Sequence, residues 1–492
     1  MAKTSSSSAQ KNVHIALFPF MSKGHTIPLL HLTKLIHEHR PHAIFTIFTT
    51  PANEPFISTS LSSLPPTIFT IITFPFRAFD DTLNPLYGVE STDQLPSMSL
   101  FHSFAFGTES LLPCFEATVE KLQNGANPIT FLICDFFLYW THNVTSKFDI
   151  PRLSFNGMNI YSLTMSIVVS INKIFDGIES NDQAVQLVPD FDWIRLTKND
   201  FDSSLNGPDS DEITQKFLMK VGHASFTSYG LVVNSFEELE LPFMNYYNSK
   251  CHPKAMFIGP LCLVEKPNLN GSLEAQTVPF WMEWLNKRKD QEEGKPVLYV
   301  AFGTQAEIRN EQLKEMALGL ARSEVNFIWA LRVKPAQEEV LKELEEMVKE
   351  RGIIVKGWVE QRAILEHESV KGFLSHCGWN SAIESISMSV PILAWPMMAE
   401  QHLNARLVVE EIKVGLRVET CDGSVRGFVK WEGLSKMVKE LMEGELGKMV
   451  RNNVKEYSLM ARKAIQHGGS SWSTLNALLN DLESRDGMKQ LQ

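Results

Sequence analysis

The sequence of 492 residues lacks the features that mark several large classes of protein. Its six cysteines form no C-x-x-C pair and no Cys/His spacing suited to zinc. No continuous apolar run is long enough to span a membrane, and the Ser-rich beginning has no apolar signal-peptide core. We therefore expect a cytoplasmic protein with reduced thiols, and no zinc site, membrane span or export signal.

An excess of basic residues is also missing. Lys and Arg number 46 against 57 Asp and Glu, and the formal net charge of -11 argues against binding to nucleic-acid phosphates. The composition is 44% hydrophobic and 21% charged, which is typical of globular proteins. At roughly 150 residues per domain, the length predicts two or three domains.

The first half of the chain alternates strand-like and helix-like segments. A buried strand is predicted over 13–20, a tight loop over 21–25 and a helix over 27–38. Further strand-like segments of this half are 43–48, 68–74, 130–135 and 231–234. Such alternation predicts an α/β fold with a mainly parallel sheet.

The second half repeats this pattern after a polar linker over 258–280. Its strand-like segments are 296–303, 326–331, 353–355, 372–374 and 392–394. We therefore expect two facing α/β domains, an N-terminal one over 1–257 and a C-terminal one over 281–469. The tail over 470–492 is expected to pack back on the N-terminal domain.

Neither half contains the G-x-G-x-x-G or P-loop fingerprint, which disfavours a nicotinamide-dependent oxidoreductase and a P-loop hydrolase. One turn nevertheless has the character of an anion site. A strand ending at Ser375 leads to His376 and Gly378, and Asn380 is predicted to cap the next helix, where N–H groups and the helix dipole favour a phosphate. The alternative is an ordinary capped helix with a core histidine.

Residues 358–401 closely resemble the 44-residue donor-binding signature of the plant UDP-dependent glycosyltransferases of secondary metabolism. The shared pattern runs from Trp358 through Q-x-x-I-L, H-C-G-W-N-S and P-x-x-x-W-P to the final Glu-Gln pair. The similarity extends along nearly the whole chain. It implies the GT-B fold, with two facing Rossmann-like domains, a donor site mainly in the second, an acceptor site mainly in the first, and no metal ion or other cofactor.

The resemblance also implies roles for individual residues of the donor site. Trp358 would stack on uracil beside Val359, Gln361 would read the edge of the base, and Glu384 would hold the ribose. The expected diphosphate contacts are Thr304, His376, Gly378, Asn380 and Ser381. The expected sugar contacts are Trp379, Glu400 and Gln401. Gln401 at the last signature position is associated with glucose, whereas Gly157 stands where many relatives place Thr or Ser near the sugar.

His25 and Asp135 match the catalytic pair of the same family. Each follows or ends a predicted strand of one sheet, so the carboxylate can lie beside the imidazole, fix its tautomer and stabilise the imidazolium. We expect the helix N-terminus to favour a neutral His25, which would act as general base in an inverting displacement. Without the resemblance, a loop histidine and a strand-end aspartate are the simpler interpretation.

The acceptor site is expected to be apolar, with Phe20, Phe136 and Met158 as candidate contacts. The leading hypothesis is a monomeric UDP-glucose-dependent glucosyltransferase that acts on a hydroxyl of a flavonoid or other phenolic. Attack through a ring carbon to give a C-glucoside, and O-glucosylation of a terpenoid, remain open. A non-catalytic UDP-sugar sensor is the alternative from a different class. The partners expected are the UDP-sugar and a small acceptor, and not nucleic acid.

Overall fold

The first sheet of this computed structural model contains seven parallel strands. The structure describes residues 13–79, 81–185, 188–202, 212–265, 278–291, 295–332 and 337–489. The strands are β1 (His14–Phe18), β2 (Ile44–Thr49), β3 (Phe69–Thr73), β4 (Phe131–Asp135), β5 (Arg152–Asn156), β6 (Gly230–Val233) and β7 (Ala255–Phe257). Their order is β3-β2-β1-β4-β5-β6-β7. The sequence patterns do not predict β5, in which polar residues alternate with two apolar ones, or β7, whose three residues are too few to show a period.

The order reverses at β1 and β4, which are neighbours in the sheet although β2 and β3 lie between them in sequence. Phe18 lies opposite Cys134 in the parallel register. The loops that follow these two strands therefore open at the same edge of the sheet, which is where open α/β sheets bind ligands.

A second parallel sheet of six strands follows. The strands are β8 (Val297–Ala301), β9 (Asn326–Leu331), β10 (Gly352–Lys356), β11 (Val370–Ser375), β12 (Ile392–Ala394) and β13 (Gly415–Arg417), in the order β10-β9-β8-β11-β12-β13. Ala301 lies opposite Ser375, so the loops after β8 and β11 also leave the sheet side by side. The prediction of α/β architecture with parallel sheets is confirmed.

Helices cover both faces of the sheets. Those of the first half are α1 (Lys23–His39), α2 (Glu54–Ser60), α3 (Phe101–Gly107), α4 (Leu112–Gln123), α5 (Thr141–Lys147), α6 (Ile160–Asn172), α7 (Glu212–Phe226) and α8 (Glu237–Lys250). Those of the second half are α9 (Phe280–Gln291), α10 (Asn310–Arg322), α11 (Glu338–Val348), α12 (Gln361–Glu366), α13 (Trp379–Ser387), α14 (Gln401–Arg406), α15 (Trp431–Glu443), α16 (Glu445–Ile465) and α17 (Ser470–Lys489). A π-helical turn, Leu407–Glu411, continues α14.

Apolar spacing explains how these helices attach. In α15, Leu434, Val438 and Leu441 recur at intervals of four and three residues, lie on one face and are buried. In α17, Leu475 and Leu479 are buried in the apolar cluster of the first sheet. Arg40, the C-cap of α1, donates to the carboxylate of Glu483 at 2.6 Å. The last helix thus lies against the first half of the chain.

The middle of the predicted linker, 266–277, lies outside the described residues. On either side of it the two halves share an apolar cluster, in which Tyr161 and Phe243 come from the first half and Trp379 and Ile383 from the second. In the part of the chain that the structure describes, no helix combines the length and the apolar character needed to cross a membrane.

Candidate active site

A histidine and an aspartate meet at the reversal point of the first sheet. His25 lies in the first turn of α1, which begins four residues earlier than the sequence pattern predicts, and Asp135 is the last residue of β4. The two atoms His25 Nδ1 and Asp135 Oδ2 are 2.7 Å apart. The other carboxylate oxygen accepts the backbone N–H of Phe137 at 3.0 Å, and the whole aspartate is buried. With Nδ1–H donating to Asp135, Nε2 is the ring nitrogen that can accept a proton.

The charges around His25 set its pKa. Burial lowers this pKa, but the charge and hydrogen bond of Asp135 and the charge of Glu400 raise it, and the net direction is upward from the ordinary value. The helix N-terminus, which we expect to favour a neutral imidazole, is therefore opposed by two carboxylates that favour the protonated ring. The side chain of His25 is 22% exposed, so it remains open to the cleft.

Aromatic rings surround His25. The ring centroids of Phe20 and Phe137 lie 5.7 and 5.3 Å from that of His25, and Phe136 stacks on it at 6.5 Å. Phe20 is fully buried, so it packs against the histidine but offers no surface to an acceptor. Phe136 and Met158 are partly buried and stay candidates for the acceptor wall. Phe137 is not among the predicted contacts, although its position two residues after Asp135 places it at the same strand end.

The turn after β11 brings an imidazole between two glycines. A Cβ atom built on Gly303 or Gly378 would lie 2.8 or 2.6 Å from His376 Nε2, so both positions need to be free of a side chain. Burial lowers the pKa of His376 to about 4, and the ring is neutral near neutral pH. A neutral imidazole beside a helix N-terminus can approach a diphosphate closely.

The helix after this turn begins two residues earlier than predicted. Trp379 is the first residue of α13 and Gly378 is its N-cap, so the prediction of Asn380 as N-cap is wrong. The Asn380 amide instead donates across the cleft to the backbone carbonyl of Gly24, at 2.5 Å. A residue expected to bind the diphosphate thus contacts the first turn of α1, which carries His25.

Among the predicted contacts to uracil and ribose, Gln361 and Glu384 lie together. Trp358 is 57% exposed, whereas the side chain of Val359 is buried. Gln361 Nε2 donates to Ser381 Oγ at 3.0 Å and to Glu384 Oε2 at 2.7 Å. Burial raises the pKa of Glu384 to about 7, and the hydrogen bond from Gln361 opposes that rise.

The predicted sugar contacts differ in how they face the cleft. Glu400, which belongs to the second half of the chain, acts electrostatically on His25. Gln401 Oε1 accepts the backbone N–H groups of Met397 and Met398, at 3.0 and 3.1 Å, so its NH2 group is the part free for a sugar. The indole of Trp379 is only 2% exposed and donates to the carbonyl of Asn234 at 2.8 Å, so its side chain is not a sugar contact here.

Further contacts join the two halves beside Thr304. Thr304 itself is exposed, and its carbonyl accepts from Arg332 Nη1 at 2.6 Å. The other terminal nitrogen of Arg332 donates to the carbonyl of Asp93, and Gln305 donates to Thr92 Oγ1. A cavity of about 510 Å³ lies here between the halves. Among the described residues, no group of three or more His, Cys, Asp and Glu is placed to hold a metal ion.

Comparison with known proteins identifies the family. A family model described as UDP-glucoronosyl and UDP-glucosyl transferase matches residues 247–458. UDP-glycosyltransferase 90A1 of Arabidopsis thaliana is 50% identical over 480 residues, which cover 96% of this chain and 97% of that protein. Scopoletin glucosyltransferase of Nicotiana tabacum is 34% identical over 481 residues, with 96% and 98% covered.

Comparison with solved structures supports the same family. The crystal structure of Glycyrrhiza uralensis UGT73P12, complexed with glycyrrhetinic acid 3-O-monoglucuronide, superposes with a TM-score of 0.85 at 27% identity and covers 97% of both chains. The chain belongs to the plant UDP-glycosyltransferases, and it is a glycosyltransferase with the GT-B fold. The predictions of family, fold class and enzyme class are confirmed. This assignment replaces the sensor and oxidoreductase alternatives.

Proposed function

We propose that the protein transfers glucose from UDP-glucose to a hydroxyl of a small aromatic acceptor, a flavonoid or other phenolic, with inversion at the anomeric carbon. The observation that carries this proposal is the His25–Asp135 pair, which is hydrogen-bonded at 2.7 Å and faces Glu400 of the opposite half. A base on one side of the cleft and a sugar-binding carboxylate on the other suit a direct displacement between them.

In the proposed step, Nε2 of His25 takes the proton from the acceptor hydroxyl as that oxygen attacks the anomeric carbon. The new carbon–oxygen bond forms while the bond from the anomeric carbon to the diphosphate breaks, and UDP leaves with the bonding electron pair. Asp135 stabilises the imidazolium that results. The N-terminus of α13, with Asn380 and Ser381, stabilises the charge that develops on the diphosphate.

Glucose is the proposed sugar for two reasons. Gln401 follows Glu400 directly in the chain, and because its Oε1 accepts from Met397 and Met398, its NH2 group is the part that can donate to a hydroxyl of a hexose. The name of the Nicotiana tabacum relative also specifies a glucosyl transfer.

The proposed aromatic acceptor rests on the rings around the base. Phe136 and Phe137 lie against His25 with centroids 4.1 Å from each other, and both are partly buried. Such faces favour a flat ring. Terpenoid alcohols remain a second candidate class, because the solved relative from Glycyrrhiza uralensis holds glycyrrhetinic acid 3-O-monoglucuronide.

Three further properties belong to the proposal. We propose that transfer needs no metal ion or other cofactor, so EDTA leaves the rate unchanged. We propose that the protein is a monomer, which size-exclusion chromatography with light scattering tests. We propose a cytoplasmic location, which imaging of a fluorescent fusion tests.

The decisive experiment is a mass-resolved transfer assay with full-length protein. The donors are UDP-glucose, UDP-galactose and UDP-glucuronate, and the acceptors are flavonoids, simple phenols and terpenoid alcohols. We expect a product that gains one hexose from UDP-glucose and loses it in acid. A product that survives acid hydrolysis would indicate a C-glucoside and contradict attack by a hydroxyl.

The matched variants of this assay are His25→Ala and His142→Ala. Loss of a general base costs about 10²- to 10⁴-fold in turnover, so His25→Ala should fall by that factor and still bind UDP. His142 is a partly exposed histidine on α5 that has no place in the proposed site, and its removal should leave turnover unchanged. Equal turnover in the two variants would contradict the proposed base.

A further inference from the structure

A buried amide joins the sugar end of the site to the half of the chain that carries the base. Asn404 lies on α14, three residues beyond the signature, and is fully buried. Its Nδ2 donates to the carbonyl of Cys377 at 2.8 Å and to Glu400 Oε1 at 3.2 Å. Its Oδ1 accepts from Asn159 Nδ2 and from Ser162 Oγ, both at 2.8 Å.

These four contacts use the whole hydrogen-bonding capacity of the amide, which has two donor hydrogens and two acceptor lone pairs. They also fix its orientation. The carbonyl of Cys377 can only accept, so the atom facing it must be nitrogen. On the other side, Asn159 Oδ1 already accepts the backbone N–H of Ser162 at 2.7 Å, so Asn159 offers its NH2 group. A flipped Asn404 would lose these bonds.

The partners of Asn404 belong to both sides of the reaction. Cys377 stands between His376 and Gly378 and has a positive φ of 61°, a conformation that needs support from its surroundings. Asn159 is the N-cap of α6 and follows Gly157 by two residues. A Cβ built on Gly157 would lie 3.3 Å from His25 Cε1, so this segment also contacts the base.

We propose that Asn404 is a positioning residue that aims the Glu400 carboxylate at the sugar of the donor and ties it to the segment 157–162 beside the base. The inference rests on the proposed function, in which Glu400 binds a sugar hydroxyl. Four buried hydrogen bonds hold Asn404, and through it the Glu400 carboxylate, in one position, so a sugar displaced from that carboxylate would bind more weakly. Because two of these bonds come from the segment 157–162, sugar recognition is also linked to the position of the acceptor half.

Calorimetric titration of full-length protein with UDP and with UDP-glucose tests this role. UDP lacks the sugar, so misalignment of Glu400 should weaken the binding of UDP-glucose and leave the binding of UDP unchanged. In Asn404→Ala we expect the ratio of Kd for UDP-glucose to Kd for UDP to rise about tenfold, as expected when a hydrogen bond to a charged group is lost. A general structural defect would weaken both ligands alike and leave the ratio unchanged.

Ser458→Ala is the matched control for loss of one buried hydrogen bond. Ser458 Oγ donates to the carbonyl of Ser387 at 2.8 Å on a different helix pair, and Arg462 also bonds that carbonyl. Its ratio should stay at the wild-type value. Asn404→Asp keeps the side-chain shape but places an oxygen against Glu400 and Cys377, so it gives the same comparison if the alanine variant fails to fold.

A double-variant cycle separates action through Glu400 from any other effect. In the Glu400→Gln background, adding Asn404→Ala should change the ratio by less than about twofold. Full additivity of the two changes, or an unchanged ratio in folded Asn404 variants that still bind UDP, would overturn the inference alone. Failure of the wild type to bind UDP would overturn the proposed function and this inference together.

Discussion

The backbone of Gly157 lies against the imidazole of His25. A Cβ atom at position 157 would be 3.3 Å from Cε1 and 3.4 Å from Nδ1 of that ring. Nδ1 is the atom that bonds Asp135. Even the methyl group of an alanine at position 157 would therefore crowd the hydrogen bond that fixes the tautomer of His25. The absence of a side chain at Gly157 therefore helps to define the position of the His25 imidazole.

Gly157→Ala should lower kcat more than it raises the KM of UDP-glucose. Rings of Phe20 and Phe137 also pack against His25, so we expect a displaced imidazole to shift relative to Asp135. A displacement of a few tenths of an ångström predicts a loss of about tenfold in kcat. Steady-state kinetics at saturating acceptor measures this. An unchanged kcat would mean that the ring has room to move.

Asp135→Asn should change the pH profile as well as the rate. Asp135 raises the pKa of His25, and only the neutral imidazole can accept a proton, so wild-type kcat/KM should rise with pH through a midpoint above the ordinary histidine value. Removing the charge lowers that pKa and shifts the acidic limb to lower pH. The maximal rate should fall by about 10²- to 10⁴-fold. If the acidic limb stays at the wild-type pH in Asp135→Asn, Asp135 is not the residue that raises the pKa of the base.

Affinity for UDP-glucose should increase between about pH 6 and pH 8, because Glu384 has a pKa of about 7 and its ionised form accepts hydroxyl hydrogens more strongly. His376 is neutral throughout this range and adds no slope. Calorimetric titration at several pH values measures the effect. Glu384→Gln should bind more weakly and show a flat profile; a slope that persists in this variant would point to another group.

Trp358→Ala should weaken UDP binding by about 1 to 3 kcal/mol, the range for loss of one base–aromatic stack. Trp193→Ala is the matched control, because Trp193 is 55% exposed and Trp358 57%, while Trp193 lies outside the donor signature and donates its indole N–H to Glu411. UDP affinity by calorimetry should distinguish them. Equal affinities for UDP in the two variants would remove Trp358 from the uracil site.

The sequence predicts most of the framework for identifiable reasons. Strand β1 and strand β4 are continuous apolar runs, and the residues after such strands meet at one edge of a parallel sheet, which brings His25 to Asp135. The signature over 358–401 predicts which residues approach the donor, because its spacing is specific to one family.

Other features depend on packing between distant segments. The sequence gives no sign that Trp379 turns its indole toward Asn234, or that Asn404 bonds Asn159, because 145 and 245 residues separate these pairs. The direction of the His25 pKa also depends on Glu400, which arrives from the other half of the chain. Local patterns carry no information about such partners.

The apolar cluster that contains Tyr161, Phe243, Trp379 and Ile383 belongs to both halves of the chain. Neither half is therefore an independent building block, since each would expose part of this shared core if expressed alone. A chimera that combines this acceptor half with the donor half of a relative would have to preserve the packing of α6 against α14. Exchange of acceptor loops with this packing unchanged is the less disruptive route to new substrates.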